Sequence, residues 1–228
     1  MTVALLAATS NVNVNVSGLK SPSSAVLIII VITVLAVAPA ILILMTGFTR
    51  VFIVLSLTRN ALGTQTIPPN QVIAGLALIL SLFIMGPVIS QINHVAVQPY
   101  DKGKITATQA IDKGEVPLKH WMLAQTRDND LDLFTSTAKE SAKNPQSLPL
   151  TTIIPAFVLS EIETAFLMGF MIFIPFMVID LVVSAIMMSM GMYMLPPTLI
   201  SLPFKILLFV LVDGWTLVVS SLLQSFHP

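Results

Sequence analysis

The chain has no cysteine, and only 10% of its 228 residues are charged. The first absence excludes disulfides and thiolate metal sites. The second, together with 55% hydrophobic residues and a mean hydropathy of +0.91, lies far from a soluble domain and points to an integral membrane protein. Eleven basic residues are matched by eleven acidic ones and are scattered, so there is no nucleic-acid footprint. Histidine is scarce as well: His94, His120 and His227 are isolated, and no HExxH, GxSxG or phosphate-cradling glycine loop occurs. Ser201 and Lys205 have the i, i+4 spacing of a Ser-Lys nucleophile pair, but Pro203 between them disturbs that geometry. The expectation is a non-enzyme with no cofactor and no metal. The classes left open are an oligomeric protein-conducting channel, a small-solute transporter with broken helices and a membrane protease.

Long apolar runs are what the sequence does have. Residues 1–24 read as an N-terminal tail or an atypical signal, since no Lys or Arg precedes Lys20. Residues 25–92 read as a first helical hairpin. Its opening run, Ala25 to Met45, has 21 uncharged residues, about 31 Å of helix against a hydrocarbon core of about 30 Å. Pro39 predicts a kink in it. Arg50 and Arg59 flank the next apolar run, and nine residues of helix turn them to opposite sides. The pair Pro68-Pro69 turns the chain into a further span, Val72 to Ile92.

Residues 93–150 read as a polar domain, holding seven of the eleven basic and seven of the eleven acidic residues. QTRDNDLDLF reads as a short helix with Trp121, Met122, Leu131, Leu133 and Phe134 as apolar contacts, and SAKNPQSLP as a linker. Orientation follows from Arg50 and Arg59, which favour the cytoplasmic side and place the polar domain outside.

Residues 151–228 read as a second hairpin. The run from Ile153 to Met190 has 38 residues, about 57 Å if helical and nearly twice a single crossing. Pro175 is expected to divide it. The run from Leu199 to Phe226 is overlong too. Glu161, Glu163, Asp180, Lys205 and Asp213 are embedded in these runs, and each ionisable group at mid-membrane costs about 2.5 to 3.5 kcal/mol. They need partners on other subunits, a wet cavity, or a path by which Lys205 and the arginines snorkel to the interface. Glu161 and Glu163 point to nearly opposite sides of their helix. Lys205 and Asp213, two turns apart, are too distant to pair on one helix. A proton or small-solute transporter using Glu161, Asp180, Lys205 and Asp213 is the alternative function.

Between the two long runs lies IMMSMGMYMLPP, which gathers Met187, Met188, Met190, Met192 and Met194 around Gly191 and stops at Pro196-Pro197. Soft, unbranched side chains at a helix break suit a seal that yields when something is pushed through, or simply a well-filled core.

The stretches MTGFTRVFIVLSLTRNALGTQTIPPNQV, FIMGPVI, FMIFIPFMVIDLVVSAIMMSMGMYMLPP and SLPFKILLFVLVDGWTLV resemble the FliP family of bacterial type III export-gate proteins, from Met45 to Phe226. QPYDKGKI, PLKHWMLAQTR and DLDLF resemble its flagellar branch rather than its injectisome branch. The resemblance implies an all-α subunit of the flagellar export gate in the bacterial inner membrane, whose helical hairpins build a ring raised toward the periplasm, with a small periplasmic polar domain. It implies a homo-oligomer, a pentamer, with FliQ-like and FliR-like subunits, an FlhB-like switch protein and unfolded flagellar export substrates as partners. It also implies that a methionine loop rings the closed pore, at Met192, Tyr193 and Met194 here, where Tyr193 departs from the run of methionines. The embedded charges would then be contacts between subunits.

Overall fold

The computed structural model describes residues 22–64, 66–139, 144–192 and 194–226. The N-terminal tail and Tyr193 therefore lie outside the described residues. Two compact units are present, residues 1–39 and 40–228. The described part of the first is the opening of α1 (Pro22–Met45), which runs on through Pro39 without a break in its helical assignment.

The second unit is helical throughout its described residues, with no strand among them. After the break at Thr46-Gly47 come α2 (Phe48–Ala61) and α3 (Asn70–Ile92), antiparallel neighbours turned at Pro68-Pro69. Proline fits there because the first helical N–H groups need no partner inside the helix. Past Ile92 the helix does not stop where the composition changes. One π-helical turn (Asn93–Val97) and α4 (Gln98–Asp101) prolong it to 32 residues.

The polar block folds as α5 (Ala107–Gln125) and α6 (Asp128–Ala138). A capping box opens α5: the Thr106 hydroxyl accepts from Gln109 N–H, and the Gln109 side chain accepts from Thr106 N–H. Trp121, Met122 and Leu131 are buried as expected, whereas Leu133 is more than half exposed. Leu133 lies two positions after Leu131, some 200° around the helix, so both cannot face the same neighbour. Pro145–Ser147 forms a single 3-10 turn. Both helices pack on α7, and α5 also packs on α3.

Next, α7 (Leu150–Ser189) is one helix of 40 residues, about 60 Å long. The expected division at Pro175 does not occur, and Pro155 is accommodated in the same way. By contrast the last apolar run, expected as one stretch, is two helices. α8 (Pro197–Leu211) and α9 (Gly214–Ser225) meet at a 63° bend, where Asp213 adopts a left-handed backbone with φ of 51°. Aspartate is among the few residues that take this conformation readily. Among the described residues two helices are long and apolar enough to cross a membrane, or up to four if each bent pair counts as one span.

The core lies where α2 meets the first half of α7. Val51, Val54, Leu55, Ile153, Ala156, Phe157 and Ala165 are all but inaccessible there. A Cβ added to Gly169 would meet Leu57, with its Cβ and Cγ at 3.1 and 3.2 Å, so any larger residue would force Leu57 to move at that crossing. Ala165 and Gly169, small residues four apart, thus lie at the seam between α7 and α2.

Candidate functional site: paired charges and a methionine-rich turn

Arg50, on the inner face of α2, is 2% exposed, and Glu161 of α7 is fully buried. Arg50 Nε donates to Glu161 Oε2 at 3.1 Å and Nη2 donates to Oε1, a two-pronged carboxylate pair. The remaining N–H groups are taken up as well. Nη1 donates to the carbonyl of Ser225 at 2.9 Å and to its hydroxyl at 3.1 Å, and Nη2 reaches Gln125 Oε1 at 3.4 Å. The Phe226 ring lies 4.0 Å from the guanidinium carbon and stacks on Trp121. One cation thereby ties α2, α5, α7 and the end of α9 together.

Beside it, Ser160 turns toward α6. Its hydroxyl donates to Asp130 Oδ2 and accepts from the Arg127 backbone N–H. Glu163, two residues from Glu161, faces outward and pairs with Arg127 at the surface. The opposite-facing arrangement read from the sequence is the one found.

A second pair holds the other hairpin. Lys205 of α8, 4% exposed, donates from Nζ to Asp180 Oδ2 at 2.6 Å and to the Ala61 carbonyl at 3.2 Å. That carbonyl is at the C-terminal end of α2, where helix geometry leaves acceptors free and favours a cation. Ser201 donates to Asp180 Oδ1 at 2.5 Å. Ser201 and Lys205 thus converge on one carboxylate, and the buried serine is not presented as a nucleophile. Glu161 and Lys205, the two buried members of this set, are paired within one chain, as are the partly exposed Asp180 and the exposed Glu163, so the burial needs no partner on another subunit. Asp213 is exposed at the α8–α9 bend, and no ion pair joins it to Lys205 among the described residues. The estimate of two helical turns between them does not apply, because α8 ends at Leu211. Arg59 faces away from Arg50. It donates to Asn70 Oδ1 at 2.6 Å and to the Pro68 carbonyl at 3.1 Å.

The methionines sit at the far end of the α7–α8 hairpin. Gly191, with φ of +75°, ends α7 in the left-handed conformation usual for a glycine after a helix. The expected gate set divides. Met187 is 4% exposed and packs inside the hairpin, because adjacent residues on a helix lie about 100° apart and only one of Met187 and Met188 can face outward. Met188, Met190, Met192 and Met194 are exposed, Met194 almost completely, at 98%. Between the two helix ends runs an open cleft of about 790 Å3, lined by apolar side chains, among them Ile186, Met187, Met190, Met192 and Phe204. Among the described residues no His, Asp or Glu cluster could hold a metal ion. The sequence alone does not single out Gln125, Ser160, Ser225 and Phe226 as partners of these charges, nor Asp180 as the partner of Ser201. The serines show only as lone hydroxyls in apolar runs, Gln125 as one polar residue among many and Phe226 as one apolar residue among many, and none of these signals says with what they pair.

The model of the FliP family matches residues 31–222. Among curated relatives, the flagellar biosynthetic protein FliP of Bacillus subtilis (strain 168) is 58% identical over 189 residues, covering 82% of this chain and 86% of its own. That of Pectobacterium carotovorum subsp. carotovorum is 52% identical over 190 residues, 83% of this chain and 74% of its own. That of Aquifex aeolicus (strain VF5) is 50% identical over 192 residues, 83% and 80% respectively.

Proposed function

Because this chain belongs to the FliP family and so serves flagellar export, we propose that it is a pore-forming subunit of the flagellar type III export gate in the bacterial inner membrane. Several copies form a ring, a pentamer, completed by FliQ-like and FliR-like subunits and controlled by an FlhB-like protein. The pore conducts unfolded export substrates, and the driving energy comes from other components. The block at residues 93–150 faces the periplasm, and the assembly rises toward that side.

One observation carries the reading. The α7–α8 hairpin projects a continuous apolar surface ending in Met188, Met190, Met192 and Met194, which its own chain leaves uncovered. An apolar surface of this extent needs a covering of lipid or protein. A ring supplies protein on the flanks and brings one methionine turn per copy to the axis. There the soft side chains close the opening when no substrate is present.

The test is the triple replacement Met192→Ala, Tyr193→Ala and Met194→Ala. Shortening a turn that fills a pore leaves helix packing alone, so the complex is expected at normal abundance and the cells become leaky to ions. Scarce complex without a leak would instead mark these residues as core, where each lost large side chain costs about 2 to 5 kcal/mol. Normal abundance with no leak would remove the turn from the gate.

A further inference from the structure

Arg59 is 91% buried (9% exposed), yet no carboxylate meets it among the described residues. Both of its hydrogen bonds leave from Nη1. Nε is buried without a partner, and Nη2 makes no hydrogen bond among the described residues. A cation this deep ordinarily has an anion.

Its two acceptors, the Pro68 carbonyl and Asn70, stand at the N-terminus of α3. That terminus is itself open. α3 has no acidic residue in its first turn and no side-chain cap. Val72 and Ile73 donate back to the Pro69 carbonyl, which leaves the Asn70 and Gln71 N–H groups without an acceptor among the described residues. Free helix N–H groups beside a half-used guanidinium are the donor set that binds a phosphate.

We propose that Arg59 and the first turn of α3 hold the phosphate of a phospholipid headgroup. The lipid is favoured over a free anion because Asn70 is the first residue of a 32-residue candidate membrane span. In addition, Ile67, Val72 and Ile79 are exposed around and below the site, where acyl chains would run. The phosphate chemistry stands on the geometry alone, whereas the lipid source rests on the membrane setting of the proposed function.

The test uses the complex purified in detergent, with bound lipid read by native mass spectrometry after adding phosphatidylglycerol or, as an uncharged control, a monogalactosyl diacylglycerol. Phosphatidylglycerol should stay bound and the galactolipid should not. Arg59→Gln should weaken phosphatidylglycerol binding at least about tenfold, the scale of a lost charged hydrogen bond. Arg59→Lys, which keeps the charge without the fork, should fall between. Unchanged binding in Arg59→Gln, or equal retention of the galactolipid, overturns the proposal. If Arg59→Gln is not recovered as a complex, unchanged binding in Arg59→Lys does the same. Displacement by excess inorganic phosphate overturns the lipid source. The ring and its leak are read separately in the methionine-turn experiment, so either idea can fail without the other.

Discussion

The two halves of α7 are both predominantly apolar and have opposite surroundings. Up to Gly169 the helix is wedged among α2, α5 and α6, and it carries most of its buried residues there. Beyond Gly169 only Phe176 and Met187 are buried, while Phe170, Met171, Leu181 and Val182 are exposed. What separates them is the small and polar residues: Ser160, Glu161, Ala165 and Gly169 mark the half that packs against its own chain. The half left for something else to cover is more continuously apolar, interrupted by Asp180, Ser184 and Ser189. The same logic distinguishes Lys205, buried against Asp180 and the end of α2, from its neighbours Phe204 and Leu207, which face outward.

The sharpest break in this contrast should come from Glu161→Ala. It leaves the Arg50 guanidinium buried without its carboxylate, at a cost of about 3 to 5 kcal/mol. Loss of the chain itself, measured as abundance in the membrane, is the expected result. Replacing both residues, Arg50→Met with Glu161→Met, should recover part of the loss, because an apolar pair leaves no charge stranded.

Lys205→Ala comes next and should cost less, since Asp180 is 30% exposed and can recover water. A loss of about 1 to 3 kcal/mol is expected, the range for a hydrogen-bonded charge removed from a partly buried site. Thermal inactivation of the detergent-solubilised protein would measure it, and a loss equal to that of Glu161→Ala would erase the distinction between the two ends. Leu181→Ser should have the smallest effect on the chain, within about 0.5 kcal/mol, because the side chain touches little of its own molecule. A large drop in the stability of the separated chain would show the outer half of α7 to be packed after all.

Much of the fold could be read in advance, and the misses have physical causes. Run length and the two proline pairs locate the long apolar helices and two of their turns. Pro175 does not divide α7, because proline removes one hydrogen bond and a long helix tolerates that loss. The α8–α9 bend left no strong signal, since Asp213-Gly214 inside an apolar run looks like an embedded charge rather than a break. Charge identity was legible, and partner identity was not. Arg50 and Glu161 are 111 residues apart in sequence, and only the crossing of α2 with α7, set at Gly169 and Leu57, brings them together. For Met187 and Met188 the composition was visible but the inward and outward faces were not, because apolar residues surround the helix on all sides and no polar stripe orients it.

Whether other protein covers the outer α7–α8 hairpin can be read from the mass of the detergent-solubilised complex. A ring predicts a particle of several copies of the 24.6 kDa chain together with its partner subunits. A particle containing one or two chains, with export intact, would contradict it.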